Sequence, residues 1–269
     1  MSRATNPPSA SAELPLFVND AGLPIVSPEI AEAAFSVRCV AGKWPLSDTH
    51  VQVLVQEMFP PESAAVLHDA SPKAHTFTFD CASDGTGAVR VATLTPLLSA
   101  QLLSFAPRTI HLKVGAYEIS AEGWNVSTHD TLYGLLGRPL GRRLGLEALT
   151  PVRLGVGADL PLPLPLPWAL FQEPVACWAA FAPDLPQPPE DLREWQHRHL
   201  TLSRFEIRTA TVSAEGQEEP GFVGPFEITV SQRNQRDQEW AWTNLLASYA
   251  HFTGVGKRRA RGAGRLRRL

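Results

Sequence analysis

Between His75 and Leu94 the sequence sets two alternating runs, His75–Asp80 (HTFTFD) and Ala88–Leu94 (AVRVATL), on either side of Ser83-Asp84-Gly85-Thr86-Gly87. Alternation with a period of two marks half-buried strands, and a short Gly/Asp/Ser cluster between them marks a hairpin turn. A hairpin this local fixes an antiparallel pair before any long-range contact is known. What flanks it then decides the fold.

Upstream, Ala34–Ala41 (AFSVRCVA) reads as another strand, and Pro45-Leu46-Ser47-Asp48 opens a helix whose Val51, Leu54, Val55 and Met58 fall at helical spacing. Downstream, Pro96–Phe105 reads as a second helix and Arg108–Ser120, with Ile110, Leu112 and Val114 on one face, as a single fourth strand. The order βαββαβ is the ferredoxin-like, or RRM-like, arrangement, with two helices covering one face of a four-stranded antiparallel sheet.

The second half repeats that order. Its elements are Leu149–Val156, a helix near Trp168–Phe181, strands at Leu200–Val212 and Gly221–Ser231, a helix at Glu239–His251, and a basic final strand. Prolines 161, 163, 165 and 167 force an extended lead into the first of these helices, and 182–193 reads as an exposed loop. The expected fold class is therefore α+β, two tandem ferredoxin-like domains at 31–147 and 148–269 behind a flexible arm at 1–30. A chain of 269 residues with 44% hydrophobic and 19% charged residues supplies core enough for both.

The apolar runs are too short to span a bilayer and the first residues lack the apolar centre of a signal peptide, so a cytoplasmic protein with no membrane contact is expected. Cys39, Cys81 and Cys177 show no paired spacing and read as buried thiols rather than disulfides or a zinc site. No metal and no cofactor is expected: His197 and His199 lack a neighbouring ligand set, and Glu57, Glu62, Asp69 and Asp80 read as solvated faces. Trp168, Trp178, Trp240 and Trp242 read as core, and Trp44, in the loop before the first helix, as a candidate ligand contact.

Charge is distributed unevenly. Residues 257–269 hold Lys257, Arg258, Arg259, Arg261, Arg265, Arg267 and Arg268 and no acid, and setting these seven aside takes the net charge from −3 to −10. Such a segment is the footprint of a polyanion partner, since each cation placed on a phosphate releases a condensed counterion. Two Gly-x-Gly units, Gly254/Gly256 and Gly262/Gly264, flank the cationic run. Glycines let backbone approach a bulky anion and offer it N–H groups, and arginines add charge and planar stacking faces.

Placed after a helix, this segment resembles the glycine-rich loop of the RAMP (repeat-associated mysterious protein) superfamily, and within it the CRISPR repeat-RNA-processing endoribonucleases. Leu67-His68-Asp69 with Pro72-Lys73 and Thr76-Phe77-Thr78-Phe79, Leu149-Thr150-Pro151-Val152-Arg153-Leu154, and Gly221-Phe222-Val223-Gly224-Pro225-Phe226 resemble further segments of that family, over about residues 34–269. The resemblance implies metal-independent cleavage of CRISPR precursor RNA within its repeats, the 2′-OH attacking the adjoining phosphorus to leave a 2′,3′-cyclic phosphate. Its implied partner is CRISPR repeat RNA, with other CRISPR effector subunits and a second copy of the chain as further candidates.

The resemblance assigns His68 to proton transfer and Lys73 to phosphate charge. An unperturbed histidine near pKa 6.5 exists in both forms near neutrality, which suits it to the role of base or acid. Many members place a tyrosine on the first helix, yet 53–57 holds none. The base and acid roles then rest with His68 alone or are shared with His50, where the positive end of a helix favours the neutral base form, or with His75. RNA binding falls to Gly254, Gly256, Lys257, Arg258, Arg259, Arg261, Gly262, Gly264 and Arg265. The opposing reading is a non-catalytic RAMP subunit that only holds guide RNA and has no need of His68.

Overall fold

The computed structural model describes residues 17–18, 24–25, 28–137, 141–156, 160–214, 217–231 and 237–269. Most of the expected N-terminal arm lies outside the described residues, apart from two short paired strands, β1 (Phe17–Val18) and β2 (Pro24–Ile25).

The first sheet is built from β3 (Ile30–Gly42), β4 (His75–Cys81), β5 (Thr86–Thr93), β6 (Arg108–Leu112) and β7 (Gly115–Ser127) in the spatial order β4-β5-β3-β7-β6, antiparallel throughout. Helix α1 (Asp48–Glu57), the short helix α2 (Ala64–Asp69) and α3 (Pro96–Leu103) connect these strands. β7, β3, β5 and β4 are the four strands of the ferredoxin-like motif. The segment expected as one fourth strand is instead a hairpin: the chain turns at Lys113-Val114, and β6 adds a fifth strand outside β7. The alternation of Ile110, Leu112 and Val114 hid that turn, because it continues the period-two pattern of a strand.

Phe35, Val37, Val89, Val91, Phe77, Tyr117 and Ile119 point to one face of this sheet and bury Val51, Leu54 and Val55 of α1 with Leu98 and Leu102 of α3. Thr95 caps α3 by accepting from the Leu98 N–H at 3.4 Å. The opposite face is also buried at one end, where Ile30, Ala92 and Leu94 join the core of the second half.

That half contains α4 (His129–Tyr133), β8 (Arg143–Val152), the small hairpin of β9 (Leu154–Val156) and β10 (Leu160–Leu162), α5 (Pro167–Leu170), α6 (Gln172–Phe181), α7 (Leu192–His199), β11 (Leu200–Phe205), β12 (Arg208–Ala214), β13 (Gln217–Val230), α8 (Asp237–Thr253) and β14 (Leu266–Arg268). Its sheet runs β11-β13-β8-β14, the same ferredoxin-like order, with β12 pairing the first part of β13. β8 opens at Arg143, so a boundary between 147 and 148 cuts through its first strand; the break lies upstream of it. Trp178, Trp240 and Trp242 are buried as expected, Trp168 partly. Cys177 is buried, whereas Cys39 is half-buried and Cys81, at the end of edge strand β4, is exposed, against the expectation for those two.

Two expectations are corrected in this half. Leu192 and Arg193 do not end a loop but begin α7, whose Leu192 and Trp195 are buried while its charged residues face out. The run expected as one strand over 200–212 breaks at Glu206-Ile207 into β11 and β12.

Candidate functional site

The cationic segment is not a loose tail. After α8 it turns back through Gly254–Gly264 and enters the second sheet as β14 beside β8. The end of β8 stitches it down: the Lys257 N–H donates to the Arg153 carbonyl at 2.9 Å, the Gly264 N–H to the Pro151 carbonyl at 3.0 Å, and the Arg265 N–H to Thr150 Oγ1 at 3.0 Å. The stretch Leu149–Leu154 is thus the seat of the loop. Gly264 sits at φ +80° with the space for a Cβ only 2.0 Å from the Val255 carbonyl oxygen, and Gly256 at φ +73° with Arg153 O at 2.3 Å, so neither position admits a side chain without a shift. The N–H groups of Gly254 and Gly264 are spent on carbonyls of Ala250 and Pro151, so these two glycines serve close approach rather than offering donors outward.

The loop lies along the free edge of β4. Thr76 donates its hydroxyl to the Phe252 carbonyl at 2.9 Å, and a Cβ on Gly262 would stand 3.8 Å from the Phe77 ring. Several of the cations expected on RNA are held by acids from distant parts of the chain. Arg259 is 5% exposed, with Nε 3.2 Å from Glu173 and a guanidinium N–H donated to the Thr253 carbonyl. Arg258 pairs with Glu219 at 3.1 Å in a left-handed conformation (φ 67°), and the nearly buried Arg153 meets the same carboxylate at 2.8 Å. Arg265 pairs with Glu32. Lys257 is exposed and Arg261 half-exposed.

Glu32 is the hinge pin of the domain contact. It stands on the face of β3 turned to α8, where it accepts from Arg265 and faces His251 Nε2 at 3.1 Å. Burial works to raise its pKa, but the hydrogen bond and charge of His251, with Arg265 and Arg90 nearby, hold it below the usual carboxylate value. Burial lowers the pKa of Arg265 in turn. Neither Glu32 nor His251 is marked in the sequence as functional, and no local signal finds them, since 219 residues separate the pair.

His68 is exposed near the end of α2, and the ammonium of Lys73 donates to the His68 backbone carbonyl. These two expected site residues therefore sit together. His75, two residues beyond Lys73, is 2% exposed. Its burial, then the nearby charges of Lys73, Arg259 and His68, lower its pKa from 6.5 to about 4. Arg259 of the glycine loop, Lys73 and His68 thus all act by charge on the same buried ring. His75 is consequently neutral near pH 7 and shut away from solvent, which does not suit it to sharing proton transfers. His50 is in the first turn of α1 with Nδ1 2.7 Å from Ser47 Oγ. That places it at the opposite end of α1 from the segment leading to α2. Trp44 is half-buried, donating Nε1 to the Ala82 carbonyl at 2.7 Å and standing edge-on to Phe79.

A glycine-rich loop that leaves α8 and closes on the edge of the first sheet thus joins two ferredoxin-like sheets. Residues 146–266 match the model of the CRISPR-associated endoribonuclease Cas6 family. Over about nine-tenths of its length the chain shares the fold of solved Cas6 structures. A Cas6 product complex superposes with a TM-score of 0.71 at 22% identity, over 89% of this chain and 99% of the other. Thermus thermophilus Cas6 gives 0.66 at 21%, over 90% and 99%. A RAMP protein described as binding different RNA substrates gives 0.53 at 12%, over 89% and 99%. No curated protein sequence matches the chain. His50, His68 and Lys73 fall outside the matched segment 146–266, so their roles rest on the residues themselves. No helix among the described residues is long and apolar enough to cross a membrane.

Proposed function

We propose that this chain is an endoribonuclease that cuts CRISPR precursor RNA within its repeats without a metal ion, with His68 moving the proton and Lys73 countering the phosphate charge. The observation that supports this reading is an exposed imidazole, His68, whose backbone carbonyl anchors the ammonium of Lys73. In the reaction, the 2′-OH of one nucleotide attacks the adjoining phosphorus as a base takes its proton. The bond to the 5′-oxygen breaks, an acid protonates that oxygen, and a 2′,3′-cyclic phosphate remains. The ribose brings the nucleophile, so the protein supplies proton transfer and charge.

Lys73 has three N–H donors and uses one on the His68 carbonyl, which leaves others to meet a non-bridging phosphate oxygen. The loop cations Lys257 and Arg261 steer the strand by charge. Arg258, Arg259 and Arg265, paired to Glu219, Glu173 and Glu32, hold the loop in shape for it. His50 stands as the second proton-transfer candidate, its ring oriented by Ser47.

The test is a repeat RNA incubated with the full chain in EDTA, beside a copy carrying one 2′-deoxy sugar upstream of the cut. Cleavage of the first and sparing of the second supports the mechanism, and a requirement for Mg²⁺ removes it. His68→Ala is expected to lower the cleavage rate at least 100-fold, the contribution typical of a positioned acid or base, while RNA affinity stays within about twofold. Unchanged cleavage by His68→Ala would take the role from that residue.

A further inference from the structure

A cleft beside the glycine loop takes no part in the chemistry above. It opens where the two domains meet, between Asp48 on α1, Phe77 and Phe79 on β4, Pro151 and Thr211 of the second domain, and Arg261 of the loop, and it encloses ≈ 210 Å³. Pockets for drug-sized ligands run to about 300–1,000 Å³, so this one suits a single planar group. Its residues come from elements that the glycine loop draws together, so the cleft exists only in the closed two-domain arrangement.

Three of its features have the character of a nucleotide site. Phe79 presents a ring braced edge-on by Trp44, with centroids 5.8 Å apart, and Trp44 is fixed by its bond to the Ala82 carbonyl. Arg261 brings a cation to the rim, and its charge acts on Asp48. Asp48 itself brings a carboxylate in the first turn of α1, where the positive end of the helix favours the ionised form, although partial burial raises its pKa.

We propose that this cleft takes one unpaired guanine of the RNA, its ring against Phe79, its N1–H and 2-amino group donating to the Asp48 carboxylate, and its adjoining phosphate near Arg261. An ionised carboxylate only accepts hydrogen bonds. Guanine is the one common base whose Watson–Crick edge sets two donors side by side; adenine and cytosine set a donor beside an acceptor, and uracil a donor between two acceptors. Those three bases would put an acceptor against a carboxylate oxygen. Sequence-specific reading of RNA works mainly on unstacked bases held against aromatic rings and bonded along this edge. The proposal rests on the RNA-cleaving reading above and adds to it a base preference and the residue that sets it.

The test uses the full chain and five single-stranded octamers of adenosine whose central base is guanine, hypoxanthine, adenine, cytosine or uracil, with affinity read by fluorescence polarisation at one salt concentration. Hypoxanthine keeps N1–H and lacks the 2-amino group, so it removes one of the two bonds to the carboxylate. The guanine octamer is expected to bind about tenfold tighter than the hypoxanthine one, the effect of one hydrogen bond to a charged group. In Asp48→Asn, whose amide offers one acceptor and one donor, that ratio falls to within twofold while binding of the all-adenosine octamer is unchanged. Equal affinity of the wild-type chain for guanine and hypoxanthine overturns the guanine site, as does a preference that survives in Asp48→Asn. Failure to bind every octamer and a folded repeat RNA as well overturns the RNA-cleaving reading instead.

Discussion

Replacing His75 by leucine isolates the titration of one buried imidazole. The ring is 2% exposed, its Nδ1 has no hydrogen-bond partner, and burial together with the charges of Lys73, Arg259 and His68 takes its pKa from 6.5 to about 4. The unfolded chain accepts a proton near pH 6.5, whereas the folded chain refuses it until about pH 4. Between those values the unfolded state binds more protons, so stability falls as the pH drops through that window. Each tenfold change in proton affinity is worth about 1.36 kcal/mol, so the loss from this residue alone amounts to about 2 kcal/mol by pH 5 and about 3 kcal/mol by pH 4. Leucine neither titrates nor leaves an orphaned nitrogen. Urea unfolding of both proteins at pH 7, 6, 5 and 4 therefore gives a difference in stability that grows in favour of His75→Leu by those amounts, while every other titrating group cancels. Parallel stability curves over pH 7 to 4 would refute the reasoning, because a histidine that titrates normally in the folded state contributes no such slope. The acid limb of the cleavage profile is expected to stay where it is in the same variant; a displaced limb would make His75 the group that titrates in catalysis.

Glu32→Gln leaves Arg265 partly buried without its counter-charge, and at pH 7 is expected to cost about 3 kcal/mol, or a drop in Tm of roughly 6–12 °C for a chain of this size. Because the folded pKa of Glu32 lies below the ordinary 4.5, its stabilisation is present above that value and lost as the pH falls through the folded pKa. The Tm gap should accordingly close in acid, and a gap that is constant with pH would count against the ion pair. Gly264→Ala puts a methyl group where Val255 O already stands, at a φ that L residues avoid; it is expected to weaken RNA binding at least tenfold in a filter-binding assay with the far-UV spectrum retained. Wild-type affinity in that variant would show that the loop tolerates another path.

Much of the architecture follows from local pattern. The hairpin of β4 and β5, strand β3, α1, α3 and α8 are legible because the periods of two and 3.6 are clean and the turn chemistry at Asp84-Gly85 is strong. The misses share a cause. At Lys113-Val114 the turn continues the period-two alternation of the strand before it, and at Leu192 a helix begins directly after a proline-rich stretch, so local pattern points away from the structure in both places. The burial of His75 is written in its strand pattern: it shares the period-two face of Phe77 and Phe79, which is the buried face of an edge strand. The fates of the arginines were not legible. Arg259, Arg258 and Arg265 look alike in sequence, and only the fold brings Glu173, Glu219 and Glu32 to them.

A strand at the margin of a sheet carries a row of open backbone groups that invites another chain to pair with it. β4 holds that position in the first sheet, and Phe252 with the glycine loop lies against it. The segment that gathers the cations is therefore also a cover. A protein that has lost it presents an unshielded ribbon from His75 to Cys81, ending in an exposed thiol, and self-association would accompany the loss of RNA contact.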